Sequence, residues 1–138
     1  MKTHIIYIDG ATHIVNPSTK IGYAAMFDDD YELGIQTSEH KILTNNMAEY
    51  NGLLLALKMI EERNPILPMT IYSDSSMLVN QMNNKMTIGK GAYRSLALIA
   101  KDKLMTLKQK YKISIFWIPR EKNTKADLLS KQAMNEEK

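Results

Sequence analysis

The sequence predicts an α/β fold: a five-stranded mixed sheet, in which a three-strand antiparallel meander is extended by parallel strands, flanked by helices. Three observations predict it. Three runs rich in β-branched and aromatic residues open the chain, joined by loops too short for a parallel crossover. Two later segments repeat apolar residues with a period near 3.6. Between and after these lie two single strand-like runs, Met69–Ser73 and Lys112–Ile118, the alternation expected of βαβ units.

Taken in order, Thr3–Ile8 reads as a strand ending in an Asp9-Gly10 turn, and Asn16-Pro17-Ser18-Thr19 as a loop. Ile21–Phe27 is a second strand, Asp28-Asp29-Asp30 a hairpin turn and Tyr31–Thr37 a third strand. A helix follows, capped by Asn46, with Met47, Tyr50, Leu54, Leu57 and Ile60 or Glu61 along its inward stripe. Pro65 ends it just after Arg63-Asn64. Pro68 precedes the strand Met69–Ser73, which stops at Asp74; Ser75–Asn83 is a short helix and Asn84–Ala92, with two glycines, a loop. Tyr93–Lys110 is a longer helix that turns Leu96, Ile99 or Ala100, Lys103-Leu104 and Leu107 inward. Lys112–Ile118 alternates Ile113, Ile115 and Trp117, with Trp117 expected in the core; Pro119–Asn123 is a loop and Thr124–Met134 the last helix. The right-handed crossover rule sets Met69–Ser73 parallel to the first strand. If these two are neighbours, Asp9 and Asp74 lie side by side at their carboxyl ends, where open α/β sheets place ligands.

A chain of 138 residues has room for one domain with a real core, so 1–138 is expected to be a single domain. Its 44% apolar and 24% charged residues exclude disordered, collagen-like and disulfide-scaffold classes. With no cysteine, thiolate zinc sites, thiol nucleophiles and disulfides are excluded as well. The N-terminal apolar run, Ile5 to Ile8, is too short for a secretory signal, and no later stretch approaches a membrane span. A free-standing, cytoplasmic, monomeric protein with no membrane partner is expected. The net charge of +3 hides an asymmetry: residues 1–80 carry 5 basic and 10 acidic side chains, residues 81–138 carry 13 and 5. From Lys85 to Lys112 eight basic residues face the single acid Asp102. Such a half-chain either attracts a polyanion or is a solvated helix face.

Four acids stand out, each with an ordinary alternative. Asp9 before Gly10 is a turn signal. Glu49, three residues after Asn46, and Asp127, three after Thr124, have capping-box spacing. Asp74 precedes a helix it could cap. Together, though, two acids end neighbouring strands and two open helices, so all four can converge at one end of the sheet. Clustered carboxylates are costly unless protons, donors or cations relieve them. Hard divalent ions favour such all-oxygen shells.

The segments Tyr7-Ile8-Asp9-Gly10-Ala11, Thr44-Asn45-Asn46-Met47-Ala48-Glu49-Tyr50, Tyr72-Ser73-Asp74-Ser75, and Trp117-Ile118-Pro119-Arg120 with Asn123-Thr124-Lys125-Ala126-Asp127-Leu128-Leu129-Ser130 resemble ribonuclease H, type 1. They stand in that family's order and approximate spacing over essentially the whole chain. The resemblance implies a ribonuclease H-like fold and hydrolysis of the RNA strand of an RNA–DNA hybrid, leaving 5′-phosphate and 3′-hydroxyl ends. It implies two Mg²⁺ or Mn²⁺ ions per site, held by Asp9, Glu49, Asp74 and Asp127 as catalytic carboxylates. It implies substrate contacts at Asn16 on the RNA strand, at Thr44 and Asn45 on the DNA strand with Thr44 at a phosphate pocket, and at Asn46 against the hybrid.

The chain also departs from the family pattern. Some members carry a long basic insertion with a tryptophan platform, where Asn84–Gly91 here is compact and has no Trp. Many have a histidine in the loop before the last helix; the histidines here are His4, His13 and His40. That loop holds Arg120 instead, either steering phosphate and aiding product release or serving as a surface cation. The same fold could alternatively serve as a non-catalytic hybrid- or duplex-binding module, or apply the same chemistry to double-stranded RNA.

Overall fold

The computed structural model describes residues 2–135. The elements run β1 (His4–Thr12), β2 (Lys20–Phe27), β3 (Asp30–Thr37), α1 (Asn45–Arg63), β4 (Met69–Ser73), α2 (Ser76–Met82), α3 (Arg94–Lys108), β5 (Ile113–Trp117), a 3-10 turn (Arg120–Lys122) and α4 (Thr124–Asn135). The sheet order is β3-β2-β1-β4-β5, with β1–β2 and β2–β3 antiparallel and β1–β4 and β4–β5 parallel. Both the element order and the meander-plus-parallel architecture match what the sequence predicts.

Period-2 alternation assigns the two faces of the sheet. Ile6, Ile8, Ala25, Phe27, Ile71, Ile113 and Ile115 join Tyr50, Leu53, Leu57 and Ile60 of α1 and Ala97, Ala100 and Leu104 of α3 in one buried cluster. On the opposite face α4 lies across β1, β2 and β3. Glycines set how closely the helices approach. A Cβ on Gly10 would collide with the backbone of Ala48, and one on Gly22 with the carbonyl of Ser130, so α1 and α4 both sit against the sheet at these points.

Four details differ from the sequence reading. Asp9-Gly10 is no turn: β1 continues to Thr12 because β2 pairs with it through Thr12↔Ile21 and α1 needs the bare backbone of Gly10. The N-cap of α1 is Thr44, whose Oγ1 accepts from Met47 N at 3.2 Å, rather than Asn46. Ser75, not Asp74, caps α2 by accepting from Leu78 N. Trp117, expected in the core, is 52% exposed: it ends an edge strand, and its Nε1 donates to the Asp74 carbonyl at 3.1 Å. Of the expected inward alternatives Ile99 or Ala100, Ala100 is the one in the core, beside Ala97. Tyr93 packs inside, with its hydroxyl bound to Gln81 and to Gly89 N, so the loop before α3 is pinned from within.

Candidate active site

Three acids meet where β1 and β4 separate. The last parallel pair is Tyr7↔Tyr72, and two residues beyond each tyrosine stand Asp9 and Asp74, on the same sheet face. Glu49 reaches the same point from the first turns of α1, which Gly10 and Gly52 allow to lie directly on β1. One carboxylate oxygen each from Asp9, Glu49 and Asp74 lies within 4.8 Å of the other two. They line a cleft of about 420 Å³ together with Asn45, Asn46, Arg120 and Lys131.

With caps assigned to Thr44 and Ser75, neither Glu49 nor Asp74 has a helix-capping role to explain it. Asp74 accepts from Asn123 Nδ2 at 3.2 Å, and Asp9 from Ser130 Oγ at 3.2 Å. Glu49 Oε2 is buried and has no hydrogen-bond partner among the described residues. Burial, the negative charge of Asp74 and contact with the Asp127 carboxyl push Asp9 up to about 8, against the opposing help of the Gly10 N–H. Burial and the charges of Asp9 and Asp74 likewise push Glu49 well above the usual carboxylate range, though Arg120 pulls the other way. A buried, under-donated, all-oxygen cluster of this kind is the donor set of a hard divalent cation, and the orphaned Glu49 oxygen fits such an ion.

Asp127 stands beside this cluster rather than inside it. It contacts Asp9, yet Lys131 Nζ lies 3.2 Å from its Oδ2 and Arg120 lies 3.7 Å from its Oδ1. Its capping-box partner Thr124 makes no bond to it here, whereas Asp127 N closes the first helical turn on Asn123 O at 3.0 Å. Arg120 lines the cleft with the carboxylates while its side chain stays largely exposed.

The expected substrate-side residues gather at one rim. A two-residue bridge, Ser18↔Leu43, ties the β1–β2 loop to the segment before α1, and Asn16 Oδ1 accepts from Asn45 N at 3.1 Å. Asn16, Asn45 and Asn46 are exposed there; Thr44 is half-buried, its oxygen used as the cap while its hydroxyl proton stays available. The basic stretch is split: Arg94 and Lys101 bind the carbonyls of Ile88, Gly89 and Gln81. Lys85, Lys90, Lys103, Lys108 and Lys112 are exposed.

Sequence reasoning singled out neither Lys131 nor the anchors Asn123 and Ser130 as site residues. The i+3 and i+4 spacing from Asp127 on a helix is the signal that places Ser130 and Lys131 on its side. Asn123 also donates to Ile8 O at 2.9 Å, so one buried amide holds β1, β4 and the start of α4 together.

This sheet, with acids at its split and a helix on either face, is the ribonuclease H fold, and the acidic pocket places the chain among ribonuclease H-like proteins. More particularly, it belongs to the reverse transcriptase-like family, whose model matches residues 8–133. Its structure is similar to that of LC11 ribonuclease H1, a protein isolated from compost, in complex with an RNA/DNA hybrid. That match has 24% identity, covers 96% of this chain and 97% of that one, and has a TM-score of 0.79. It is similar to an N-terminal RNase H domain from Mycobacterium tuberculosis (27% identity, 96% and 94% covered, TM-score 0.76). It is also similar to a ribonuclease H1 from the halophilic archaeon Halobacterium salinarum (25% identity, 97% and 98% covered, TM-score 0.72).

Proposed function

We propose that this chain is a divalent-metal-dependent ribonuclease H, an endoribonuclease that hydrolyses the RNA strand of RNA–DNA hybrids to 5′-phosphate and 3′-hydroxyl ends. The observation that carries the reading is the convergence of Asp9, Glu49 and Asp74 at the split of two parallel strands, around a buried Glu49 oxygen that no donor satisfies. In this reading Asp9, Glu49 and Asp74, with Asp127 beside them, would hold two Mg²⁺ or Mn²⁺ ions. When bound, the ions supply Lewis acidity at a phosphodiester and lower the pKa of an attacking water.

The remaining roles fall to the protein. Ser130 Oγ and the Gly10 N–H orient Asp9, and Asn123 orients Asp74, so two carboxylates are preorganised by side chains that are themselves buried. Arg120, exposed at the lip, steers a phosphate towards the cleft. The hybrid is near A-form, with a wide, shallow minor groove lined on one strand by 2′-hydroxyls. Asn16, Asn45 and Asn46 present amides to that groove, and Thr44 a hydroxyl to a phosphate, without the geometry for reading base sequence. The exposed lysines from Lys85 to Lys112 add a salt-sensitive attraction. We read 1–138 as one domain and the protein as a cytoplasmic monomer.

Asp74→Asn tests the assignment. Hybrid cleavage at saturating Mg²⁺ should be abolished while binding of the hybrid persists; turnover near the wild-type value overturns it. Running labelled hybrid, duplex RNA and duplex DNA side by side, with Mg²⁺ and with chelator, separates the hybrid nuclease from a binding module and from a duplex-RNA nuclease.

A further inference from the structure

The sheet face that carries Asp9 and Asp74 is only half covered. α4 lies over β1, β2 and β3, and Phe116 and Ser114 of β5 face solvent on the same side. Across the uncovered end runs a row of rings. Tyr7 and Tyr72 stack with centroids 5.5 Å apart, and Phe116, 54% exposed, continues the row 6.5 Å from Tyr72. These three residues are in register, Tyr7↔Tyr72 and Tyr72↔Phe116. Because Asp9 and Asp74 follow the two tyrosines by two residues, the ring row lies about 7 Å along the strands from the acid row, on one face.

Beside Tyr7 a second cleft, of about 240 Å³, is lined by Lys122, Asn123, Thr124, Lys125 and Ala126. Asn123 links this cleft to the acidic one: its amide nitrogen holds Asp74, and its Oδ1 is buried with no hydrogen-bond partner among the described residues. Two cations thus stand at the Tyr7 end of the ring row, and Glu121 of the preceding turn does not line the cleft.

Tyr7 and Tyr72 are half-buried and stack on one another, so the exposed ring of Phe116 at the end of the row is the platform on which an unpaired base can stack, while the lysines supply phosphate contacts. We propose that Tyr7, Tyr72 and Phe116, with Lys122 and Lys125, bind a single-stranded nucleic-acid segment, the unpaired continuation of a strand that leaves the carboxylate cleft past Asn123. The link to the cleft rests on the hybrid-nuclease reading; the binding itself does not. Charge decides against a protein partner as the favoured occupant, since lysines stand at the Tyr7 end of the row, next to a cleft argued to hold a polyanion.

The test is fluorescence anisotropy with a short labelled oligouridylate in chelator, so that no cleavage intervenes. Phe116→Ala should weaken binding about tenfold, and Phe116→Leu nearly as much, whereas Phe116→Tyr should keep it, because stacking needs a π-face rather than apolar area. Lys122→Ala with Lys125→Ala should weaken binding and flatten its salt dependence. Phe116→Ala should cleave a blunt hybrid at the wild-type rate and lose only the added affinity of a hybrid with a single-stranded overhang. Oligouridylate affinity unchanged to about twofold in Phe116→Ala overturns the proposal. So does a wild-type self-association that Phe116→Ala abolishes, which makes the face a protein interface. Failure of wild-type hybrid cleavage with oligouridylate binding intact would strike the nuclease reading instead.

Discussion

The two sides of the acidic pocket solve the same electrostatic problem differently. On one side Asp9, Glu49 and Asp74 are packed together with one hydroxyl, one amide and one backbone N–H among them and a carboxylate oxygen left over. On the other, Asp127 is bracketed by the cations of Lys131 and Arg120. The first side is under-donated when empty and gains from a cation; the second already carries its counter-charge. The difference teaches that carboxylates aligned by motif are not equivalent: those on β1, β4 and α1 are fixed by the core, while Asp127 sits on a helix surface where side chains can re-pair.

The sharpest break in that comparison is Asp74→Asn. Removing one charge from the under-donated side should cut hybrid cleavage by roughly a thousandfold or more, several kcal/mol at about 1.36 kcal/mol per decade. The same change should raise the melting temperature in chelator, because it removes a charge that pushes the buried Asp9 and Glu49 carboxyls above their ordinary range. A fall in that melting temperature would show that the cluster is already neutralised by other means. Titrating Mg²⁺ into the wild type should raise its melting temperature by ligand linkage, and Asp74→Asn should blunt the rise. Calorimetric scans with and without the ion measure both.

Asp127→Asn is the contrasting case. Cleavage should fall by about tenfold, and the chelated protein should not gain stability, since the change also strands Lys131; exposed pairs of this kind are worth about 0–1 kcal/mol. Lys131→Met sharpens the point. It leaves Asp127 with Arg120 alone, next to Asp9, and makes the cleft more negative, so it should lower the Mg²⁺ concentration needed for half-maximal Mg²⁺-induced stabilisation, whereas Asp74→Asn raises it. If Asp127→Asn and Asp74→Asn stabilise the chelated protein equally, the two sides of the pocket do not differ.

Much of this was legible from the chain itself, for reasons that are local. Alternation in Met69–Ser73 and the period of α3 follow directly from side-chain spacing, and the acids stand out because carboxylates at strand ends have few other uses. What stayed hidden was set by contacts between distant elements. Asp9-Gly10 carries a turn signal, but the glycine serves the approach of Ala48. Asn45 and Asn46 are good caps, yet Thr44 takes the role two residues earlier because the Ser18↔Leu43 bridge fixes where the helix begins. Trp117 continues the alternation of Ile113 and Ile115, but no element covers the end of an edge strand. Asn123 looks like loop chemistry until β1 and β4 are seen on either side of it.

A fifth carboxylate calibrates the smallest effect. At Asp28, at the β2–β3 turn, burial is the largest single influence and pushes upward, but the Ile5 N–H, His4 at 2.7 Å and the charge of Arg63 together outweigh it and hold the carboxyl below the ordinary value of 3.8. It is the donor-rich counterpart of Glu49. A depressed folded-state value means that its contribution is complete above the unfolded value and is lost as pH falls through the folded one. Asp28→Asn should therefore lower stability at neutral pH by a fraction of a kcal/mol, kept small because the side chain is 45% exposed. The gap to wild type should close as pH drops below about 4. Urea titrations at neutral and acid pH read both limbs, and a gap that widens in acid would mean that Asp28 is held by shape rather than by charge.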